Sequence, residues 1–209
     1  MLEQVLSKIE PPFSAIKPCV SLKKFFEIAD EDTKIELING DLIMHSPASF
    51  KHEDVFAFLF RVMGTFVSHH NLGKVLGSRF PVKLSKKDVL EPDIIFISNE
   101  KIRLIRERYF DGAPDLVIEI LSESTKRYDL GEKLEKYFEY GVKEYWVVRC
   151  ESTSVPDKKW VRIYTSKSEF NEFKRGRIKS SVMRFWIDAS WLWRVKKPSE
   201  KDCLDKILE

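Results

Sequence analysis

Two acidic residues set in short apolar runs are the side chains of this sequence best suited to metal chemistry. Asp93 stands at the head of the run at residues 94–97, and Glu119 stands inside the run at residues 116–121. Both runs are short and rich in β-branched residues, which is typical of buried strands. A buried carboxylate is costly unless it is paired, hydrogen-bonded or bound to a metal. If the two strands are neighbours, the pair predicts a site for a hard divalent cation such as Mg²⁺.

Each of these acids also has a purely structural interpretation. Pro92-Asp93 is a common turn dipeptide at the start of a strand, and Pro114-Asp115 repeats it, so Asp115 competes for the same role. Glu119 would face solvent if its strand lay at the edge of a sheet. Glu36 alternates with apolar neighbours and has the same solvent-facing alternative. The residue pattern alone leaves these alternatives open.

A helix predicted over residues 125–140 carries the candidate for a catalytic cation. Lys133 lies at the border of its apolar face, whereas Lys126 sits in the first turn and Lys136 points away. A lysine at that border can pack its stem along the apolar face and extend its ammonium to the end of the sheet. The alternative is that Asp129 and Lys133 form an ordinary i, i+4 ion pair on the helix surface.

The remaining sequence predicts the elements that must position these groups. Asn39-Gly40 between two β-like runs predicts a two-residue type I′ hairpin. Apolar residues at helical spacing predict a helix from Ser49 to about Asn71. Residues 143–148 form another predicted strand, and residues 159–188 read as short strands with turns. This order indicates a mixed α/β fold.

Length and composition are those of a single domain. The chain has 209 residues, of which 43% are hydrophobic, and a net charge of +3, which permits nucleic-acid binding without establishing it. The three cysteines are widely spaced, so neither a zinc ribbon nor a disulfide framework is predicted. No apolar run reaches transmembrane length and no secretory signal is recognised, so a cytoplasmic location without membrane contact is expected. We expect a lead at 1–20, a domain at 21–193 and a charged tail at 194–209.

Several motifs taken together resemble one family. They are residues 36–41, Ser46-Pro47, His52, Pro92-Asp93, residues 113–125, residues 129–133, Tyr137 and residues 141–148. The combination is similar to the bacterial Uma family of endonucleases, a branch of the PD-(D/E)XK restriction-endonuclease-like superfamily. The resemblance covers about residues 21–193, and it is specific only when the motifs are combined.

The resemblance implies a restriction-endonuclease-like mixed β-sheet core flanked by helices, with an N-terminal β-hairpin. It implies that Asp93 and Glu119 bind Mg²⁺ or Mn²⁺, with Glu36 as an auxiliary acid, and that DNA is cleaved. The superfamily normally places a lysine two residues after the second acid, where this sequence has Leu121. The family moves that lysine to the following helix, which selects Lys133. His52 is taken as a surface or capping histidine.

Two other functional classes remain open at this stage. A basic stretch at residues 172–197 contains interleaved aromatic residues. Its basic side chains would bind phosphates, whereas the aromatic residues are expected mainly to pack the core. The chain would be a catalytically silent nucleic-acid-binding or scaffold protein if the displaced lysine is not functional. A metal-dependent hydrolase of a non-nucleic substrate is the other alternative. A homodimer is compatible with all of these interpretations.

Overall fold

A computed structural model describes residues 14–29, 33–77, 80–122, 125–150 and 159–208. The strands are β1 (Ser14–Lys17), β2 (Ile35–Ile38), β3 (Asp41–His45), β4 (Gly73–Gly77), β5 (Val82–Lys83), β6 (Val89–Leu90), β7 (Ile94–Ser98), β8 (Phe110–Asp111), β9 (Leu116–Ile120), β10 (Glu144–Arg149), β11 (Trp160–Tyr164), β12 (Phe170–Phe173), β13 (Arg177–Lys179) and β14 (Trp186–Asp188). The helices are α1 (Leu22–Ile28), α2 (Phe50–His69), α3 (Lys126–Asp129), α4 (Glu132–Glu139) and α5 (Glu200–Leu208), with 3₁₀ turns at Asn99–Leu104 and Ala189–Trp193.

Most strands of the described residues belong to two six-stranded mixed sheets. The first sheet has the order β1-β3-β2-β6-β5-β8, and the second has the order β12-β11-β10-β9-β7-β4. In the second sheet β7 runs antiparallel to β9, and β9 runs parallel to β10. The mixed α/β core flanked by helices confirms the predicted fold class. The hairpin is not a separate appendage, because it forms part of the first sheet.

Three apolar clusters show how the layers stack. One face of the second sheet packs against α2 and α5, through residues such as Phe58 and Ile118. Its other face packs against the first sheet and α4, through residues such as Val117, Ile38 and Leu134. The outer face of the first sheet is covered by α1. The two sheets therefore enclose a shared interior, and α4 lies beside it.

The predicted hairpin turn and long helix are present. Asn39 and Gly40 have φ of 55° and 89°, the left-handed values that a type I′ turn requires. Helix α2 begins after Ser49, whose side chain accepts a hydrogen bond from the His52 N–H. The turn fixes how β2 and β3 pair, and the cap fixes where the first turn of α2 stands.

The single helix predicted over residues 125–140 is wrong. The chain forms two short helices, α3 and α4, which are separated at Leu130 and Gly131. Gly131 has φ of −128° and ψ of −103°, outside the helical region. Glycine has low helix propensity because its backbone loses the most freedom on ordering, so the helix can break there.

Two regular elements fall within the segments predicted as the lead and the charged tail. Strand β1 falls within the predicted lead, and residues 1–13 of that lead lie outside the described residues. Helix α5 falls within the predicted charged tail and buries Cys203 and Ile207 in the core beside α2. In the described part of the chain, no helix is both long and apolar enough to cross a membrane.

Candidate active site

Asp93 and Glu119 lie on neighbouring strands and face the same side of the second sheet. Ile94 pairs with Ile118 in the antiparallel register of β7 and β9, and continuing that register by one position places Asp93 opposite Glu119. Residues directly opposite each other in an antiparallel pair share a face. The backbone N–H of Ile120 donates to Asp93 Oδ2 at 2.7 Å, which holds this carboxylate against β9.

Asp93 is surrounded by positive and polar groups. Lys34 Nζ lies 3.0 Å from Asp93 Oδ1, and His52 Nε2 lies 3.1 Å from Asp93 Oδ2. Burial acts to raise the pKa of Asp93, but Lys34 and His52 outweigh it and lower the pKa well below its usual range. The pKa of His52 is raised. Burial acts to lower it, but the Asp93 carboxylate stabilises the charged imidazolium and outweighs burial. Asp93 is therefore an ionised carboxylate at neutral pH.

Lys133 holds together a second, fully buried group of charges. Its ammonium has no exposed surface and lies 2.5 Å from Glu119 Oε1, 2.9 Å from Glu36 Oε1 and 3.1 Å from Asp129 Oδ1. The hydroxyl of Tyr137 also donates to Glu119 Oε1 at 2.9 Å. Lys133 thus extends its ammonium from α4 to the carboxylate of Glu119.

This buried group has more acid than base. Burial raises the pKa of Glu119 to about 8, and the nearby Asp129 and Asp93 add to the rise while Lys133 opposes it. Burial also raises the pKa of Asp129. The pKa of Lys133 is raised despite its burial, because Glu119, Glu36 and Asp129 stabilise its charge. The group would therefore accept a further positive charge, from a proton or a metal ion.

Both carboxylate oxygens of Glu36 contact nitrogen atoms of neighbouring residues. Its Oε1 contacts Lys133 Nζ and accepts from the backbone N–H of Glu91 at 2.9 Å, while its Oε2 lies 2.8 Å from His45 Nε2. Lys133 and His45 lower its pKa against the opposing effect of burial. Glu36 is thus a firmly held anion, and its coordination of a metal stays a prediction.

A cleft of about 300 Å³ opens beside Asp93. Its described lining includes Lys34, His45, His52, Asp93, Ser122 and Thr125. Glu119 and Lys133 do not line it and are almost completely buried. Asp93 therefore connects the solvent-accessible cleft to the buried carboxylates.

Comparison with known proteins gives a family and a fold. The model of the Uma2 family, described as "putative restriction endonuclease", matches residues 22–187. The chain belongs to the Uma2 family. Among solved structures, a putative nuclease belonging to DUF820 from Anabaena variabilis ATCC 29413 matches with a TM-score of 0.66 and 19% identity, covering 90% of this chain and 99% of the other. At that identity the likeness shows a shared fold. No curated protein gave a significant match.

Two residues of this Uma2 chain contact Asp93 but are not among the site residues predicted from the sequence. His52 is predicted as a surface or capping histidine, yet its side chain contacts Asp93 from the first turn of α2. Lys34 was not considered, although it stands two positions before Glu36, so the period of two of a strand puts both on one face. That spacing, read together with Glu36, is the signal that would have identified Lys34.

The competing residues lie elsewhere in this Uma2 chain. Asp115 contacts Lys143 Nζ at 2.8 Å and Lys101 Nζ at 3.1 Å, and accepts from the Ser98 N–H at 2.9 Å. Lys136 lies 3.4 Å from Asp88. Neither Asp115 nor Lys136 makes contact with the group around Glu119.

The aromatic residues of the basic stretch at residues 172–197 mainly pack the core, as expected. Phe185 and Trp191 are buried in the core cluster of the second sheet. Arg175, Arg177 and Arg184 are exposed. The aromatic residues thus serve the fold, while the arginines leave a positively charged surface.

The donor set fits a hard divalent cation at the Uma2 site. Asp93 and Glu119 supply carboxylate oxygen atoms on one face of the sheet. Within the described residues, no three acidic, histidine or cysteine side chains form a ready metal cage. Mg²⁺ commonly keeps several waters and uses one or two carboxylates, so two acids are sufficient for it.

Proposed function

We propose that this protein is a metal-dependent endonuclease that hydrolyses phosphodiester bonds in DNA. The observation that carries the proposal is the pairing of Asp93 with Glu119 across β7 and β9, next to an open cleft. Membership of the Uma2 family supports the same class of reaction. A cytoplasmic location and a homodimer stay predictions.

In this proposal the side chains of the site bind the metal ion, orient the reacting water and neutralise charge. Asp93 and Glu119 would hold Mg²⁺ or Mn²⁺, with Glu36 anchoring the buried side of the site. When bound, the metal would polarise the scissile phosphate and lower the pKa of a water. Lys133 keeps a positive charge fixed beside Glu119, which offsets the repulsion between the acids.

The reaction is a simple hydrolysis. The oxygen of a water molecule forms a bond to phosphorus, and the bond from phosphorus to one bridging oxygen breaks. The water gives up a proton to solvent, and the departing oxygen takes up a proton. The Asp93 end of the cleft is the place where the chain can orient that water, because its carboxylate is ionised and faces the opening.

Plasmid nicking tests this function. We expect supercoiled plasmid to be converted to open circles with Mg²⁺ or Mn²⁺, and this conversion to stop with EDTA. Glu119→Gln should abolish nicking while leaving the circular dichroism spectrum unchanged. Nicking that persists in EDTA, or equally fast nicking by Glu119→Gln, would contradict the proposal.

A silent nucleic-acid-binding protein is the second candidate, and one observation favours it. Leu121 occupies the position of the superfamily lysine and is buried in the apolar cluster between the sheets. DNA binding that weakens with salt, without nicking under any metal, would favour this candidate.

A further inference from the structure

The two lysines of the site differ in what they can reach. Lys133 is fully buried and lies within ion-pair distance of three carboxylates. Lys34 has a side chain that is 25% exposed and contacts Asp93. Among the described residues that line the cleft, Lys34 carries the only lysine or arginine charge.

A buried ammonium shared among three acids is poorly placed to bind substrate. The Lys133 Nζ atom lies within 3.1 Å of an oxygen of each of three carboxylates, those of Glu119, Glu36 and Asp129. To contact a phosphate in the cleft it would have to abandon buried carboxylates, which is strongly unfavourable. Within the described structure, the Lys34 ammonium donates to Asp93 Oδ1 and retains donors for a ligand.

The hairpin fixes the position of Lys34. It directly precedes β2, and its carbonyl accepts a hydrogen bond from the His45 N–H at 3.2 Å. The period of two along the strand puts Lys34 on the same face as Glu36. The strand thus presents Glu36 to the buried charges and Lys34 to the cleft.

We propose that Lys34 is the catalytic lysine that donates to the scissile phosphate, whereas Lys133 is a positioning residue that acts through Glu119. This inference rests on the proposed nuclease function. Lys34 neutralises the negative charge that builds up on the non-bridging oxygens as water adds to phosphorus. Its contact with Asp93 keeps the ammonium at the mouth of the site until a phosphate arrives.

The test compares Lys34→Met with Lys83→Met. Lys83 is a matched control because it lies in the same sheet, is 22% exposed and contacts one carboxylate, that of Asp111. With saturating plasmid, Lys34→Met should reduce the nicking rate by about 10²-fold. Lys34→Arg should restore part of the rate, and Lys83→Met should have little effect. Lys34→Gln repeats the test if the methionine variant does not fold.

A binding measurement gives a readout that does not depend on cleavage. Fluorescence anisotropy with a labelled duplex in Ca²⁺ gives the slope of log Kd against log salt concentration. Loss of one phosphate contact should lower that slope by about 1 for Lys34→Met and leave it unchanged for Lys83→Met.

The outcomes separate this inference from the proposed function. If the wild-type protein nicks DNA and Lys34→Met nicks it equally fast, the inference is wrong and the nuclease function stands. If the wild-type protein binds DNA without nicking it, the salt slope alone decides whether Lys34 contacts phosphate. A wild-type protein that neither binds nor nicks DNA overturns both.

Discussion

The dipeptide Pro-Asp occurs at the start of two neighbouring strands, and the two aspartates have different surroundings. Pro92-Asp93 precedes β7 and Pro114-Asp115 precedes β9, and the strands are antiparallel. The two aspartates therefore lie at opposite ends of the pair, which we call the cleft end and the far end. Asp93 meets Glu119 and the cleft, whereas Asp115 is enclosed by Lys101, Lys143 and a backbone N–H.

This difference shows that the dipeptide places a carboxylate and the partner strand gives it a role. At the cleft end a second acid, Glu119, lies across the ladder, and burial raises its pKa to about 8. At the far end the acid is satisfied by two lysines and the Ser98 N–H, which outweigh burial and lower the pKa of Asp115 to about 2. The first arrangement suits a ligand, and the second stabilises the fold.

The largest expected effect is a difference in nicking rate between a variant at the cleft end and a variant at the far end. Asp93→Asn removes the charge at the cleft end and should slow plasmid nicking by about 10³-fold, equivalent to about 4 kcal/mol of activation free energy. Asp115→Asn is the matched change at the far end and should leave the rate per folded molecule within about threefold. Equal losses in the two variants would mean that the ends do not differ in function.

A second prediction concerns the lysines that neutralise each group. Lys133→Met leaves Glu36, Glu119 and Asp129 buried without their shared cation, so the free energy of unfolding should fall by about 3–5 kcal/mol. Urea unfolding measures this value. Lys136→Met in the same helix removes a longer contact to Asp88 and is the control. A change below about 1 kcal/mol for Lys133→Met would show that the carboxylates simply take up protons at little cost.

The third prediction sharpens the far end through pH. The pKa of Asp115 in the folded state lies below its unfolded value of about 3.9, so its stabilisation is complete above about pH 4 and is lost as the pH falls through 2. Asp115→Asn should therefore cost about 2–3 kcal/mol at pH 7, and the cost should shrink steadily in urea titrations below pH 4. A cost that is the same at pH 3 and pH 7 would contradict this assignment.

The smallest expected effect separates exposed from buried pairing at the far end. The side chain of Lys143 is 59% exposed, and Asp115 keeps its contacts to Lys101 and Ser98 without it. Lys143→Met should therefore lower the free energy of unfolding by at most about 1 kcal/mol, and the difference should diminish in high salt. A loss as large as that of Asp115→Asn would make Lys143 the essential partner.

Local signals explain what could be predicted from the sequence. The type I′ turn at Asn39-Gly40 and the long helix that starts near Ser49 depend on neighbouring residues alone, and both are present. The apolar runs around Asp93 and Glu119 predicted buried strands for the same reason. The break at Gly131 was missed because the apolar spacing continues across it, so periodicity does not reveal the interruption.

Long-range contacts explain what could not be predicted. The first six-stranded sheet depends on pairings such as Leu37 with Val89, which no local pattern specifies. His52 reaches Asp93 only because α2 packs on the second sheet. Likewise, the full burial of Lys133 could not be derived from the helix face, which placed it at the border.

The position of Lys133 between the two sheets has a consequence for how the protein folds. Glu36 belongs to β2 of the first sheet and Glu119 to β9 of the second, so the ammonium ties together segments that are distant along the chain. These contacts can form only after both sheets have come together, because each sheet alone would leave the charges in water. In native-state hydrogen exchange, the amides of β2 and β3 should become protected together with those of β9. Opening of the hairpin would then be coupled to opening of β9, so the site and this central strand of the second sheet should be lost together.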